Sequence, residues 1–351
     1  MRPYQFSDFQ SDLLTLEIEL CTGNPVQISP SRSYLSTYEK GALLCGDGQL
    51  WYFQTSATNT GNPILLQHDE LGNAVNISGH FALQSDGRVC LIEMNEKSLG
   101  SVKTLDLPPI ATMDCIRSEG LFVDFGGKVW CIGFAEGTLK QPAILNDKIV
   151  DAVRVSYSSP VRFFVLCERG RIYEWKCNAN NGEDYLSELV QESNVIDITC
   201  SYSHTLFLLD SGDVYSMGSS AIGFGDVAQQ LSVPTMIPRL SDIIKIGTAD
   251  EISVALDIHG DMWKWGYDWG GDTPQRFEGT PQGVISFSFL ELTHYETYLI
   301  VLDSSEHLWN MCEKKNSRYH KVYPTPFPEA FNTIGQFNLK ARFLPQKSAN
   351  K

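Results

Sequence analysis

One pattern of apolar and polar positions recurs along the chain: an apolar run, a short polar turn ending in glycine, one variable residue, then an aliphatic and usually an aromatic residue. "DSGDVY", residues 210–215, is one copy. The others are "GDGQLW" ending at Trp51, "SDGRVC" at Cys90, "FGGKVW" at Trp130, "ERGRIY" at Tyr173, "IHGDMW" at Trp263 and "SSEHLW" at Trp309. The turn glycines stand at 48, 87, 127, 170, 212 and 260, with Glu306 in the last copy, so the intervals are 39, 40, 43, 42, 48 and 46 residues. A period of roughly 40 to 50 residues signals a propeller or a solenoid.

Each copy predicts a β-hairpin, because runs such as "TLFLL" and "SVAL" precede the turn and aliphatic or aromatic residues follow it. Upstream phrases such as "VIDITCSYS" and "IIKIGTADE" alternate apolar and small residues, predicting a further strand that runs into a polar loop. Downstream, the proline-led "NPILL", "QPAIL", "VPTMIPRL" and "TPFPEAF" suit outer edge strands, where a missing N–H leaves no partner unsatisfied. Four strands per unit cannot bury their own faces, so the units must pack around an axis. The expected fold is all-β: a seven-bladed propeller of four-stranded blades. The recurrent Trp-Asp endings of WD-repeat propellers and the double glycine of kelch blades do not recur. Residues 36–335 are expected to form the propeller, 1–35 to supply a ring-closing strand, and 336–351 to be a tail. "LLTLEIEL" is expected to pair with the last blade.

Composition narrows the class. With 351 residues, 42% hydrophobic and 20% charged, the chain has material for a large core. The formal charge of −15 opposes sequence-independent binding to nucleic acid or anionic membranes and favours a protein partner with a basic surface. Nine cysteines, an odd number, stand mostly in apolar runs (Cys90, Cys131, Cys167, Cys200), which predicts buried thiols and a reducing compartment. No window approaches a membrane span, and the N-terminus lacks the apolar core of a signal peptide. No G-x-S-x-G elbow, phosphate-loop lysine, H-E-x-x-H or C-x-x-C pair is present, so no catalytic residue, metal or cofactor is predicted.

The repeat resembles that of the regulator of chromosome condensation family of β-propellers. "VIDITCSYSHTLFLLDSGDVYSMGSSAIGFG", residues 195–225, is similar to the family repeat at His204, Leu208, Gly212, Val214, Tyr215 and Gly218. The sixth copy has Ile252 in the His column, and the third, "MDCIRSEGLFVDFGGKVWCIG", departs further. The resemblance implies a binding platform. Its best-known member exchanges the nucleotide of the small GTPase Ran, and effectors delivered into host cells by intracellular bacteria also belong to it.

Propeller loops at one end converge around the axis, so equivalent repeat positions form a ring that can address one partner. In the Ran exchange factor, acidic contact residues precede the repeat His; the matching positions here are Tyr38, Ile77, Arg117, Pro160, Tyr202, Asp250 and Glu296. Tyr202, Asp250, Glu251, His294, Tyr295 and Glu296 come from three consecutive repeats, and with Arg117 they are the expected partner-binding set. For any one of them an ordinary polar loop end is the plainer reading; the cluster carries more than its members. Asn178, Asn180, Asn181, Gly182, Glu183 and Asp184, in "WKCNANNGEDYLSE", resemble the insertion that the Ran exchange factor uses as a wedge, although Asn-Gly is also a plain turn signal. Burial and a hydrogen bond within its own blade are expected of His204, packing between blades of the strand-borne tryptophans. Trp269 is expected either as an interface anchor or as a lid over a blade edge.

The resemblance thus implies a small-GTPase partner, Ran first, with nucleotide exchange or activation and no cofactor. A non-catalytic scaffold or inhibitor is the alternative, because five of the seven ring positions lack a carboxylate. A cytoplasmic location is expected, in the host cytosol if the chain is a bacterial effector.

Overall fold

The computed structural model describes residues 17–19, 25–30, 39–44, 50–56, 59–60, 64–66, 71, 74–78, 81–94, 99–116, 119–135, 138–139, 142–145, 148–159, 162–177, 184–190, 194–225, 230–249, 251–266, 271–293, 296–304, 308–312 and 323–326. Within them every regular element longer than a turn is a strand, so no helix is long and apolar enough to cross a membrane.

Seven sheets of at least four strands follow one another along the chain. The first holds β1 (Glu17–Glu19), β2 (Pro25–Pro30), β3 (Glu39–Leu44), β4 (Leu50–Ser56), β5 (Asn59–Thr60) and β6 (Ile64–Leu66). The second runs from β7 (Ala74–Ser78) through β8 (Phe81–Gln84) and β9 (Val89–Met94) to β10 (Leu99–Thr104). In the third, β11 (Ile110–Ile116), β12 (Glu119–Asp124) and β13 (Val129–Ile132) are followed by a small hairpin, β14 (Phe134–Ala135) with β15 (Thr138–Leu139), before β16 (Ala143–Ile144) joins β13. The fourth comprises β17 (Ala152–Ser159), β18 (Arg162–Cys167), β19 (Ile172–Cys177) and β20 (Asp184–Val190). The fifth is β21 (Val195–Cys200), β22 (His204–Leu209), β23 (Val214–Gly218) and β24 (Leu231–Met236). The sixth takes β25 (Ile243–Ala249), β26 (Ile252–Asp257), β27 (Met262–Gly266) and β28 (Gly271–Arg276), and the seventh β29 (Val284–Thr293), β30 (Glu296–Asp303), β31 (Leu308–Cys312) and β32 (Tyr323–Pro326). All pairing among the described strands is antiparallel, and apart from β4 with β6 and β13 with β16 it joins chain neighbours, the meander of a propeller blade.

The innermost strands β2, β7, β11, β17, β21, β25 and β29 approach one another in turn, and β2 meets β29 as well as β7, so the sheets close around an axis. Closure differs from the expectation. Glu17–Glu19, within "LLTLEIEL", hydrogen-bonds to β2 of the first sheet and only lies alongside β29 of the last. An antiparallel return to its chain neighbour requires only a short loop, whereas pairing with β29 would join the two ends of the chain.

Hydrophobic cores fill the spaces between successive sheets. Phe81 meets Phe122 edge to face at 5.4 Å between the second and third, and Phe164 meets Phe207 likewise at 6.1 Å between the fourth and fifth. Trp130 and Trp263 pack against such cores, as expected, and each is also tethered. The Trp130 indole donates to Asp124 Oδ2 at 2.8 Å, while Asp124 Oδ1 accepts the Gly126 and Lys128 N–H groups of the turn. Trp263 and Asp257 repeat the arrangement at 3.1 Å, with Oδ1 accepting from His259 and Asp261. One carboxylate thereby closes the turn and fixes the aromatic residue after it. An Asp six residues before Trp recurs at Asp303 and Trp309.

The turn glycines explain the repeat. Gly87, Gly127, Gly170, Gly212 and Gly260 all have φ between 70° and 86°, the left-handed region. A Cβ on Gly212 would stand 2.8 Å from the Asp242 Cα, and one on Gly127 2.6 Å from the Val150 carbonyl oxygen, both at the start of the next sheet. Their carbonyls accept hydrogen bonds there, from Ala152 N to Gly127 O at 2.9 Å and from Ile243 N to Gly212 O at 3.0 Å. Pro234 in β24 and Pro324 and Pro326 in β32 stand in outer strands as anticipated, whereas Pro25 and Pro30 bound the inner strand β2.

Candidate functional site

Because neighbouring strands are antiparallel, the connections from first to second strand and from third to fourth leave one end of the propeller, and the glycine turns form the other. The two are called here the loop end and the turn end.

At the loop end Tyr202 lies in the bend between β21 and β22 with 80% of its surface exposed. Glu251 is exposed in the turn between β25 and β26 of the next sheet. Glu296 is the first residue of β30, paired with Thr293 rather than placed in a loop. Asp250, His294, Tyr295 and Arg117 lie outside the described residues, as do Asn178, Asn180, Asn181, Gly182 and Glu183. Asp184 opens β20 opposite Cys177, the last pair of the β19–β20 ladder, at the loop end.

The ground under Tyr202 and Glu251 is rigid. His204 is buried, its Nδ1 hydrogen-bonded to Ser201 Oγ at 2.8 Å and its Nε2 to Ser253 Oγ at 2.7 Å. Burial moves its pKa down to about 3, which keeps the ring neutral. The expected bond within its own blade is therefore half of its role; the other half ties the fifth sheet to the sixth. Tyr202 is two residues before His204 and Glu251 two residues before Ser253, so the joint holds both loops in fixed relation. Two glycines crowd in beneath them: a Cβ on Gly218 would be 2.3 Å from the Ser203 carbonyl oxygen and one on Gly266 2.2 Å from that of Glu251.

Elsewhere near this end polar groups bind adjacent sheets. The Tyr157 hydroxyl donates to Glu119 Oε2 at 2.8 Å and the Tyr157 N–H to Asp114 Oδ2 at 2.8 Å. Burial, then the Glu119 charge, raises the phenol pKa. Thr199 and Thr248 share a hydrogen bond of 3.0 Å, and Ser158 Oγ donates to Ser201 O at 2.7 Å. In the fourth sheet the buried Glu174 carboxylate takes Arg162 at 2.6 Å and Lys176 at 2.8 Å, while Trp175 stacks on Phe163 at 5.7 Å. These contacts stiffen the strand that precedes residues 178–183.

Among the described residues no group of three or more His, Cys, Asp or Glu side chains is placed to hold a metal, and Cys90, Cys115, Cys131, Cys167 and Cys200 are free thiols. Burial raises the Cys167 and Cys200 thiols to about 12, leaving them protonated and inert.

The model of the regulator of chromosome condensation (RCC1) repeat matches residues 195–223, the fifth sheet's first three strands and the loop beyond. The chain thus carries an RCC1-type repeat in its fifth sheet. "Protein pim1" of Schizosaccharomyces pombe is 27% identical over 162 residues, 37% of this chain and 29% of that protein. "Regulator of chromosome condensation" of Homo sapiens is 26% identical over 165 residues, 42% of this chain and 39% of that protein. The chain therefore aligns with well under half the length of these curated relatives. The structure of Prp20p from Saccharomyces cerevisiae, described with its binding properties to Gsp1p and histones, superposes with a TM-score of 0.56 at 15% identity. That superposition covers 79% of this chain and 90% of Prp20p, which establishes the shared RCC1-like propeller fold.

Proposed function

We propose that the loop end of this RCC1-like propeller binds a small GTPase, Ran or a relative, and promotes release of its nucleotide. The observation that carries the reading is the pair of loops bearing Tyr202 and Glu251, one exposed aromatic and one carboxylate held by the His204–Ser253 joint. An aromatic anchor beside acidic groups suits a basic protein surface, and rigid loops lose little entropy on binding. The relatives supply the partner class, and the net charge of −15 agrees with it. Asp250, His294, Tyr295, Glu296 and Arg117 complete the proposed contact set, and residues 178–184 are the proposed wedge. Exchange needs no bond chemistry in the propeller, because a partner has only to disturb the phosphate-binding and switch segments of the GTPase.

Release of a fluorescent guanine nucleotide from a panel of GTPases, Ran included, tests the proposal. Acceleration on one member, lost on substituting Tyr202, Asp250, Glu251 and Glu296 by alanine, is the expected result. Stable binding without acceleration would instead favour the scaffold or inhibitor, to which the five non-acidic ring positions point. The proposal includes residues 36–335 as the propeller, with β1 and β2 as its ring-closing strands, and a cytoplasmic site of action, in a host cell if a bacterium delivers the protein; imaging a tagged chain tests the location.

A further inference from the structure

The strands nearest the axis share an irregularity. In each of the second to seventh sheets one residue near the start of the first strand is a β-bulge, unmatched by the second strand: Val75, Ala111, Val153, Ile196, Ile244 and Ile285. All six are apolar. A bulge re-aims its side chain out of the strand's alternation. The residues just before these, Ala74, Ile110, Ala152, Val195, Ile243 and Val284, are buried between sheets. Val153 by contrast is 47% exposed and Ile196 44%, and Ala111 is exposed as well. Val75 and Ile244 are half-buried and lean on the inter-sheet cores. Together the bulged residues form an aliphatic collar around the axis at the turn end.

One residue further toward the loop end the side chains turn polar: Asn76, Thr112, Arg154, Asp197, Lys245 and Ser286. Neighbours in this ring meet across sheets. Arg154 pairs with Asp197 at 2.8 Å, and Lys245 Nζ donates to the buried Ser286 Oγ at 2.9 Å. The two cations differ in what answers them. Arg154 has the Asp197 carboxylate, whereas the half-buried Lys245 has, among the described residues, only the Ser286 hydroxyl and the face of Phe287, 5.5 Å from the ring centroid. Asp114, deeper along the axis on the third sheet, is engaged by the Tyr157 N–H.

An ammonium partly withdrawn from water gains most from an anionic partner. An apolar wall with a single charged group beneath it is also the make-up of a small-molecule site. We propose that the axis of the propeller binds a small organic carboxylate, its head on Lys245 and its apolar body against the collar of Ala111, Val153, Ile196 and Ile244. The site uses neither Tyr202 nor Glu251, so it stands independently of the GTPase reading.

Isothermal titration calorimetry on the full chain with octanoate, octanol and acetate tests this. Octanoate should bind with one molecule per chain, octanol on the order of tenfold more weakly, and acetate not measurably, because head and body are both needed. Lys245→Met keeps the length of the side chain and removes its charge. It should bring octanoate down to the affinity of octanol and leave octanol unchanged. The double variant Val153→Ser with Ile196→Ser should weaken both. Absence of octanoate binding, equal affinity for octanoate and octanol, or unchanged octanoate binding to Lys245→Met overturns the proposal. The serine variant alters exposed side chains, and an unchanged melting temperature would show that it folds. Should Lys245→Met fail to fold, octanoate binding undiminished in the serine variant overturns the proposal by itself.

Discussion

The two ends of the propeller are built on different principles. At the turn end each repeat meets the next through a left-handed glycine and a backbone hydrogen bond, seen alike at Gly87, Gly127 and Gly212. At the loop end the described joints differ in chemistry: Tyr157 with Glu119 between the third and fourth sheets, Ser158 with Ser201 between the fourth and fifth, Thr199 with Thr248 and His204 with Ser253 between the fifth and sixth. A uniform backbone device fixes the geometry of the ring. Side chains at the opposite end are then released from that duty, so they can vary from sheet to sheet and carry recognition.

Substituting a turn glycine should be the most damaging way to break this contrast. Gly212→Val places a branched side chain at φ 84° and 2.8 Å from the next sheet's backbone, and is expected to cost about 3 kcal/mol or more in urea unfolding, or to prevent folding. A loss below about 1 kcal/mol would mean that the turn does not govern the joint.

Asp257→Ala comes next. It orphans the His259 and Asp261 N–H groups and the Trp263 indole N–H, at an expected cost of about 2 to 3 kcal/mol by the same measurement. Asp124→Ala should behave alike, because its network is the same; a disparity between the two would sharpen the comparison by showing where the repeats are unequal.

The His204 joint should produce a pH signature. An unfolded imidazole protonates near 6.5, but burial lowers the folded value to about 3. The stability this neutral ring contributes is complete above about pH 6.5 and declines as pH falls toward 3, by about 1 kcal/mol per unit. His204→Gln should flatten stability against pH across that window; an unaltered slope would remove His204 from the account.

Loop-end residues should show the smallest effect on stability. Tyr202→Ala and Glu251→Ala are expected to shift it by less than about 0.5 kcal/mol while reducing binding of the GTPase that responds in the exchange assay. A large stability loss would instead make these side chains part of the joint.

Much of the architecture was legible because it rests on local rules. The glycine period marks turns that need positive φ, and proline marks the outer strands Leu231–Met236 and Tyr323–Pro326. The Asp124–Trp130 and Asp257–Trp263 tethers were also legible as a six-residue spacing, although the tryptophans had drawn attention only as packing residues. Contacts between repeats were not. Ser253 stands 49 residues from His204, and no local pattern designates it as the partner.

By itself the sequence determined the number and order of the repeats, the turns within them and the edge prolines, since each depends on backbone conformation over a few residues. Only the tertiary structure decided which sheet touches which polar group, how β1 joins β2 beside β29, and that Tyr202 and Glu251 share one joint. Those relations join residues far apart in the chain, and they exist only once the sheets have packed around a common axis.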